Sequence, residues 1–147
     1  MVAEASPVAE NISVEDVWDK LSGEKSTVLI DVRTRAEWSF VGLPDLTSLG
    51  KEVVLVEWQS FPGNRPNPAF VAELSERLAA LGASQDTELY FLCRSGVRSQ
   101  SAAQAMLKAG FTRCYNIAEG FEGPLDEVRH RGAQGGWKSK GLPWVQS

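Results

Sequence analysis

The chain has 147 residues, 43% hydrophobic and 23% charged, with a formal net charge of −4. That is enough for one domain with a sizeable core, and the acidic balance argues against a general nucleic-acid binder, which needs a basic field. Two cysteines make no disulfide framework, and no apolar run approaches the length of a membrane span.

Residues 1–10 are small, polar and broken by Pro7, and read as a loose tail, with the domain expected over 11–147. The N-terminus lacks a basic region followed by an apolar stretch, so no secretory signal is read and a reducing cytoplasm is the expected compartment. Asn11 and Ile12 suit a short edge strand. Ser13 followed by Asp16 predicts a helix start, with Val14, Val17, Trp18 and Leu21 on one apolar face and Gly23 at its end. Thr27–Val32 is a continuous apolar run closing on Asp31, the pattern of a buried parallel strand, and Lys51–Val56 predicts a second.

Trp58–Pro68 is rich in Pro, Gly and Asn and is expected to be a loop. Asn67-Pro68 is expected to cap and start a helix carrying Phe70, Val71, Leu74, Leu78 and Leu81, stopped by Gly82. Glu88–Leu92 predicts a strand, Ser99–Ala109 a helix stopped by Gly110, and Arg113–Ile117 a further strand. Beyond Gly120 the expectations are a short helix within 121–131, a glycine-rich loop over 132–136, and a coil with two aromatic anchors over 137–144. Strands alternating with helices imply an α/β domain with a mainly parallel sheet, whose reactive groups gather at the carboxyl ends of strands.

Cys93 and Asp31 both fall at such ends. The run Cys93-Arg94-Ser95-Gly96-Val97-Arg98-Ser99 is a polar loop between an apolar strand and a small-residue helix. Backbone N–H groups turned inward by that loop, backed by a helix N-terminus, favour an anion at its centre, and a thiolate is such an anion. Gly96 admits a backbone conformation that side chains resist. Arg94 and Arg98 add forked cations suited to an oxyanion, with Arg98 alternatively bracing the loop. The hydroxyls of Ser95 and Ser99 either assist the site or cap the helix. Cys114 is either a small core residue or a resolving thiol, and His130 either a surface histidine or a general base. No metal-ligating cluster and no nucleotide-binding glycine motif is visible, so no metal or cofactor is expected.

Three segments together resemble the rhodanese family of sulfurtransferases. Leu29–Trp38 is similar to the family's Asp-Val-Arg strand followed by an acidic–aromatic pair. Cys93–Arg98 resembles its six-residue active loop, and Gly110-Phe111 through Glu119-Gly120 its next strand and turn. The resemblance runs from about Ile12 to Pro143. It implies a three-layer α/β domain in which Cys93 takes a sulfane sulfur from a small anionic donor such as thiosulfate, becomes a persulfide, and passes the sulfur to cyanide or to a thiol or protein-thiol acceptor. It places Arg94, Ser95, Gly96, Val97, Arg98 and Ser99 around the donor, with Asp31, Arg33 and Glu37 as structural support. It calls for no nucleic acid and no membrane. By charge, Arg94 favours a dianionic donor over 3-mercaptopyruvate.

Two departures from the family pattern stand out. Phe40–Leu46 replaces a common Gly-His-Ile-x-Gly-Ala stretch, and residues 124–134 look like an insertion before Gly135-Gly136-Trp137, with Phe121 or Trp137 expected to line the pocket entrance. Alternative readings are a persulfide relay between proteins, a non-catalytic interaction module, and a phosphatase or arsenate reductase. The last is disfavoured because tyrosine-phosphatase-like loops place their arginine six positions after the cysteine, where this chain has Ser99.

Overall fold

A computed structural model describes residues 9–24, 26–60, 63, 65–123 and 135–146. The sheet begins with β1 (Glu10–Ile12), and Ala9 before it is already buried, so ordered structure starts ahead of the boundary expected at residue 11. Helix α1 (Val14–Gly23) is capped as its sequence predicts: Ser13 Oγ accepts from the Asp16 N–H at 3.1 Å. Its Val14, Val17 and Leu21 are buried. Strand β2 (Thr27–Asp31) leads to α2 (Arg35–Phe40), β3 (Leu43–Pro44), a short 3-10 turn and β4 (Val54–Leu55). Strands β5 (Gln59–Ser60) and β6 (Arg65–Pro66) follow, then α3 (Phe70–Ala80), β7 (Glu88–Leu92), α4 (Val97–Lys108), β8 (Cys114–Ile117), α5 (Gly136–Ser139) and β9 (Trp144–Val145).

The five longer-range strands form one parallel sheet in the order β1-β8-β7-β2-β4. Side chains alternate across it, as the two-residue period of a strand requires. Ile30, Leu89 and Phe91 face Phe70, Leu74 and Leu78 of α3 and Ala102, Ala103 and Met106 of α4. Leu29, Tyr90 and Leu92 face the other way, onto Val14, Val17 and Leu21 of α1. Two helical layers thus sandwich the sheet in a three-layer α/β fold. Ala102 and Ala103 bring α4 close to β7 and β8, which seats the N-terminus of α4 beside the carboxyl end of β7. No helix among the described residues is long and apolar enough to cross a membrane.

Several expected elements differ. The strand predicted over Lys51–Val56 pairs only at Val54 and Leu55, at the sheet's edge, because the Lys51 ammonium is drawn back to the Glu24 carbonyl at 2.7 Å and to Thr27. The expected loop at Trp58–Pro68 contains an antiparallel pair, β5 with β6. Asn67 does not cap α3: its Oδ1 accepts from the Ala69 N–H at 3.0 Å, closing a turn that delays the helix to Phe70, and Val71 and Leu81 of the predicted apolar face are exposed. Helix α4 begins at Val97, two residues before the predicted start. The expected coil after Gly136 holds α5 and β9, and β9 pairs antiparallel with β3. Residues 121–122 of the helix expected within 121–131 form a turn, and the rest of it from 124 on, the 124–134 insertion and His130 lie outside the described residues.

Candidate active site

Cys93 follows directly on β7 and continues its alternation, so its side chain turns toward the α3–α4 layer and is 1% exposed. Its Sγ accepts the Gly96 N–H at 3.1 Å and lies 3.2 Å from Ser99 Oγ. Gly96 has φ +104°, and a Cβ there would stand 2.3 Å from the Ala118 carbonyl oxygen. A side chain at that position would be strained in the backbone and blocked in space. No side chain caps α4, so its first-turn N–H groups are left to whatever anion the loop holds.

The turn after β8 clamps the loop from behind. The Phe121 N–H donates to the Cys93 carbonyl at 2.8 Å, and the Glu122 N–H to the Arg94 carbonyl at 3.0 Å. A Cβ on Gly120 would meet Arg94 O at 2.5 Å, so loop and turn touch backbone to backbone. The Glu119-Gly120 signal in the sequence therefore has a physical reason: only glycine permits this approach.

Two ion pairs brace the segments beside the loop, and only the second of them reaches the cleft. Arg33 grips Asp31 with Nε–Oδ1 at 2.9 Å and Nη2–Oδ2 at 2.7 Å, both side chains fully buried. Its Nη2 also donates to the Gly42 carbonyl at 2.7 Å, and its guanidinium lies 4.3 Å from the Phe121 ring centroid. Arg98 forms a two-pronged pair with Glu37, at 2.7 and 2.9 Å. Glu37 also closes a capping box with Thr34 at the start of α2. Asp31, Arg33 and Glu37 thus belong to two separate pairs rather than one network. Burial alone would raise the Glu37 carboxyl, but the bonds and charge of Arg98, with the Thr34 N–H, outweigh it and hold it below its ordinary value. Burial likewise opposes the Arg98 charge, and Glu37, with smaller contributions from Cys93 and Asp31, overrides it and raises the guanidinium.

Of the two loop arginines, Arg98 is therefore held by a carboxylate. Arg94 is exposed and has no ion pair among the described residues. Ser95 is half-buried, Ser99 fully buried, and Val97 is 76% exposed at the rim. Cys93, Arg94, Ser95, Val97 and Arg98 line a cleft of about 740 Å³ with Thr34, Ala36, Glu37, Phe40, Val41, Gln59 and Glu122.

Phe121 and Trp137, expected at the entrance, are instead fully buried on the α1 side of the sheet; the aromatic at the mouth is Phe40, 79% exposed. Cys114 is paired in register with Leu89, four residues upstream of Cys93, roughly 13 Å away along the strands. Burial pushes its thiol up to about 12. It is a core residue and not placed to resolve a persulfide on Cys93.

One site residue carries no role in the sequence reading. Asn116, 4% exposed on β8, donates from Nδ2 to the Gly96 carbonyl at 3.1 Å and to Asn11 Oδ1 at 3.0 Å, while its Oδ1 accepts from Ser99 Oγ at 2.5 Å. The available signal was an amide in an otherwise apolar strand interior.

The family model described as the STR4 middle domain matches residues 10–147. The crystal structure of Rv0390 from M. tuberculosis is 47% identical and superposes with a TM-score of 0.86, covering 96% of this chain and 100% of its own. An uncharacterized protein of Rickettsia conorii is 36% identical over 135 residues, 92% of this chain and 96% of the relative. The rhodanese-like domain-containing protein 4, chloroplastic, of Arabidopsis thaliana is 28% identical over 134 residues, which are 91% of this chain and 25% of the plant protein. More distant relatives carry the name sulfurtransferase.

Proposed function

The chain belongs to the rhodanese-like family, and from that premise we propose that it is a sulfurtransferase in which Cys93 carries a sulfane sulfur as a persulfide. The observation that supports this most directly is the seat of the Cys93 sulfur. It accepts the Gly96 N–H, lies at the head of a helix no side chain caps, and opens on a cleft lined by Arg94, which has no ion pair among the described residues. These groups stabilise a negative sulfur without any proton donor or acceptor of the histidine kind, which is electrostatic preorganisation rather than acid–base catalysis.

With thiosulfate as donor, the Cys93 thiolate attacks the outer sulfur. A new S–S bond forms at Cys93, the donor's S–S bond breaks, and sulfite leaves with the bonding pair. Charge is conserved, three negative charges before and after, and the one left on the enzyme moves to the outer persulfide sulfur, within the loop's N–H groups. An acceptor thiolate or cyanide then attacks that outer sulfur and returns Cys93 as thiolate. Arg94 steers and holds the donor's anionic end. Arg98 keeps the loop in place through Glu37. Val97 and Ser95 form the wall, and no metal or cofactor takes part in the scheme.

The size of the cleft favours a thiol on a larger molecule, a protein thiol included, over cyanide as the acceptor. A volume of about 740 Å³ with exposed Phe40 and Val97 at its rim is far more than two atoms require. This is the persulfide-relay form of the same chemistry. The test is the intact mass of the reduced protein after incubation with thiosulfate, beside Cys93→Ser. A gain of one sulfur atom in the parent and none in the variant is the expected result. No gain in a folded protein would turn attention to phosphate or arsenate chemistry and to a binding module.

A further inference from the structure

The buried polar chain behind Cys93 has a fixed direction. The Gly96 carbonyl oxygen can only accept, so the edge of the Asn116 amide that faces it at 3.1 Å is the NH2 edge. Asn11 Oδ1 receives from the same nitrogen. That orientation turns Asn116 Oδ1, which can only accept, toward Ser99 Oγ at 2.5 Å. A serine hydroxyl has one proton, and here it points at Asn116. What Ser99 presents to the Cys93 sulfur 3.2 Å away is therefore an oxygen lone pair.

We propose that Asn116 is a positioning residue that withholds the Ser99 proton from Cys93, so that the site favours the loaded persulfide over the free thiolate. A neutral Cys93 S–H donates to the Ser99 lone pair, and the chain runs Cys93 to Ser99 to Asn116 with every proton placed. A thiolate keeps the Gly96 N–H but finds no second donor in that arrangement. To gain one, the Ser99 hydroxyl must swing to the sulfur, which strands the buried Asn116 oxygen. In the persulfide the charge lies on the outer sulfur and the inner sulfur is neutral, so the hydroxyl stays with Asn116. Asn116 thus penalises one of the two resting forms and leaves the other untouched. The bias toward the persulfide rests on the sulfurtransferase reading; the direction of the Ser99 proton does not.

The charged groups lining the cleft at the sulfur are Arg94 and Arg98 on the loop and helix, Glu37 from α2 and Glu122 beyond β8, with the buried Asp31–Arg33 pair acting on Arg98 and Glu37. All remain in the variants that test the idea. The experiment is the pH profile of Cys93 alkylation by iodoacetamide in the full chain, for which no sulfur donor is needed, using a Cys114→Ser background so that one thiol is read. Asn116→Ala frees the hydroxyl for the sulfur, and the midpoint of the profile is expected to fall by about one pH unit, a tenfold gain in thiolate at low pH. Ser99→Ala removes donor and competitor together, and its midpoint is expected within about twofold of the parent's. In the double variant the shift from Asn116→Ala disappears.

A rise of about one unit in Ser99→Ala would mean that Ser99 already donates to the sulfur, and would overturn the proposal. So would an Asn116→Ala shift that persists without Ser99. Should Asn116→Ala fail to fold, the direction of the Ser99→Ala midpoint decides alone. A companion measurement reads the persulfide: the sulfite concentration that half-unloads the enzyme is expected to fall about tenfold in Asn116→Ala at high pH. If the parent never loads sulfur, the sulfurtransferase reading fails while the alkylation profile still judges the proton's direction.

Discussion

Replacing Glu37 by glutamine should destabilise the protein by about 2 kcal/mol at neutral pH, and the loss should vanish in acid. The magnitude follows from where the Glu37–Arg98 pair sits. Its two bonds of 2.7 and 2.9 Å have ideal fork geometry, and its side chains are 19% and 21% exposed. Exposed pairs contribute about 0.2–1 kcal/mol, and breaking a fully buried one costs about 3–5, so a pair one-fifth exposed falls between. Glutamine keeps an oxygen for Thr34, so the capping box survives and the charge is the main thing removed.

The pH dependence has a definite sign. The Glu37 carboxyl is held below its ordinary value of 4.5 in the folded state. As pH falls past 4.5 the unfolded chain takes up its proton first, so the pair's contribution, whole above that pH, declines until the folded carboxyl is protonated too. Urea denaturation from pH 7 down to the acid limit of two-state unfolding measures this. The parent and Glu37→Gln curves should converge below pH 4.5. Parallel curves would refute the argument that this carboxylate, rather than the cap, holds the loop.

Arg94→Ala should raise the KM for thiosulfate about tenfold, with a smaller change in kcat and a weaker salt dependence, since it deletes a cation at the mouth that has no ion pair among the described residues; steady-state assays at two ionic strengths measure both. Arg98→Ala should instead lower the urea midpoint, because it orphans Glu37. Gly120→Ala, which drives a Cβ to 2.5 Å from Arg94 O, should cost a few kcal/mol and abolish sulfur loading, read by denaturation and intact mass. Cys114→Ser should retain full loading and turnover, since the residue is a neutral core thiol at the far end of the sheet.

The elements nearest the chemistry were legible in the sequence because local and global preferences agree there. Glu88–Leu92 is a strand both by composition and by its place between β2 and β8, and Ser13 caps α1 with no help from the rest of the fold. What escaped is what depends on distant partners. Strand β9 exists only because Leu43 and Pro44 lie opposite it, and β4 is cut short by a lysine reaching back across 24 to 27 residues. Phe121 follows the clamp turn in sequence, which made it look like a mouth residue. Its backbone does hold Cys93, but its ring turns into the opposite core, under Arg33. Asn116 escaped as a site residue because its partners come from two distant parts of the chain, Asn11 in β1 and Gly96 and Ser99 at the start of α4.

The division of labour between the two arginines follows from the same non-local geometry. Arg94 is one residue and Arg98 five residues from the nucleophile in sequence, and the two are equal in charge, so sequence reasoning offers both to the donor. The fold separates them. Arg98 lies in the first turn of α4, facing α2, where Glu37 meets its fork, and a donor anion that recruited it would have to break two short bonds first. Arg94 lies before the glycine that starts the helix, held through its carbonyl to the Glu122 N–H, with its side chain free toward solvent. One cation is thus fixed as scaffold and one left for recruitment. On the proposed sulfurtransferase reading, backbone N–H groups would hold the charge on the outer persulfide sulfur, and Arg94, not Arg98, would meet the incoming anion.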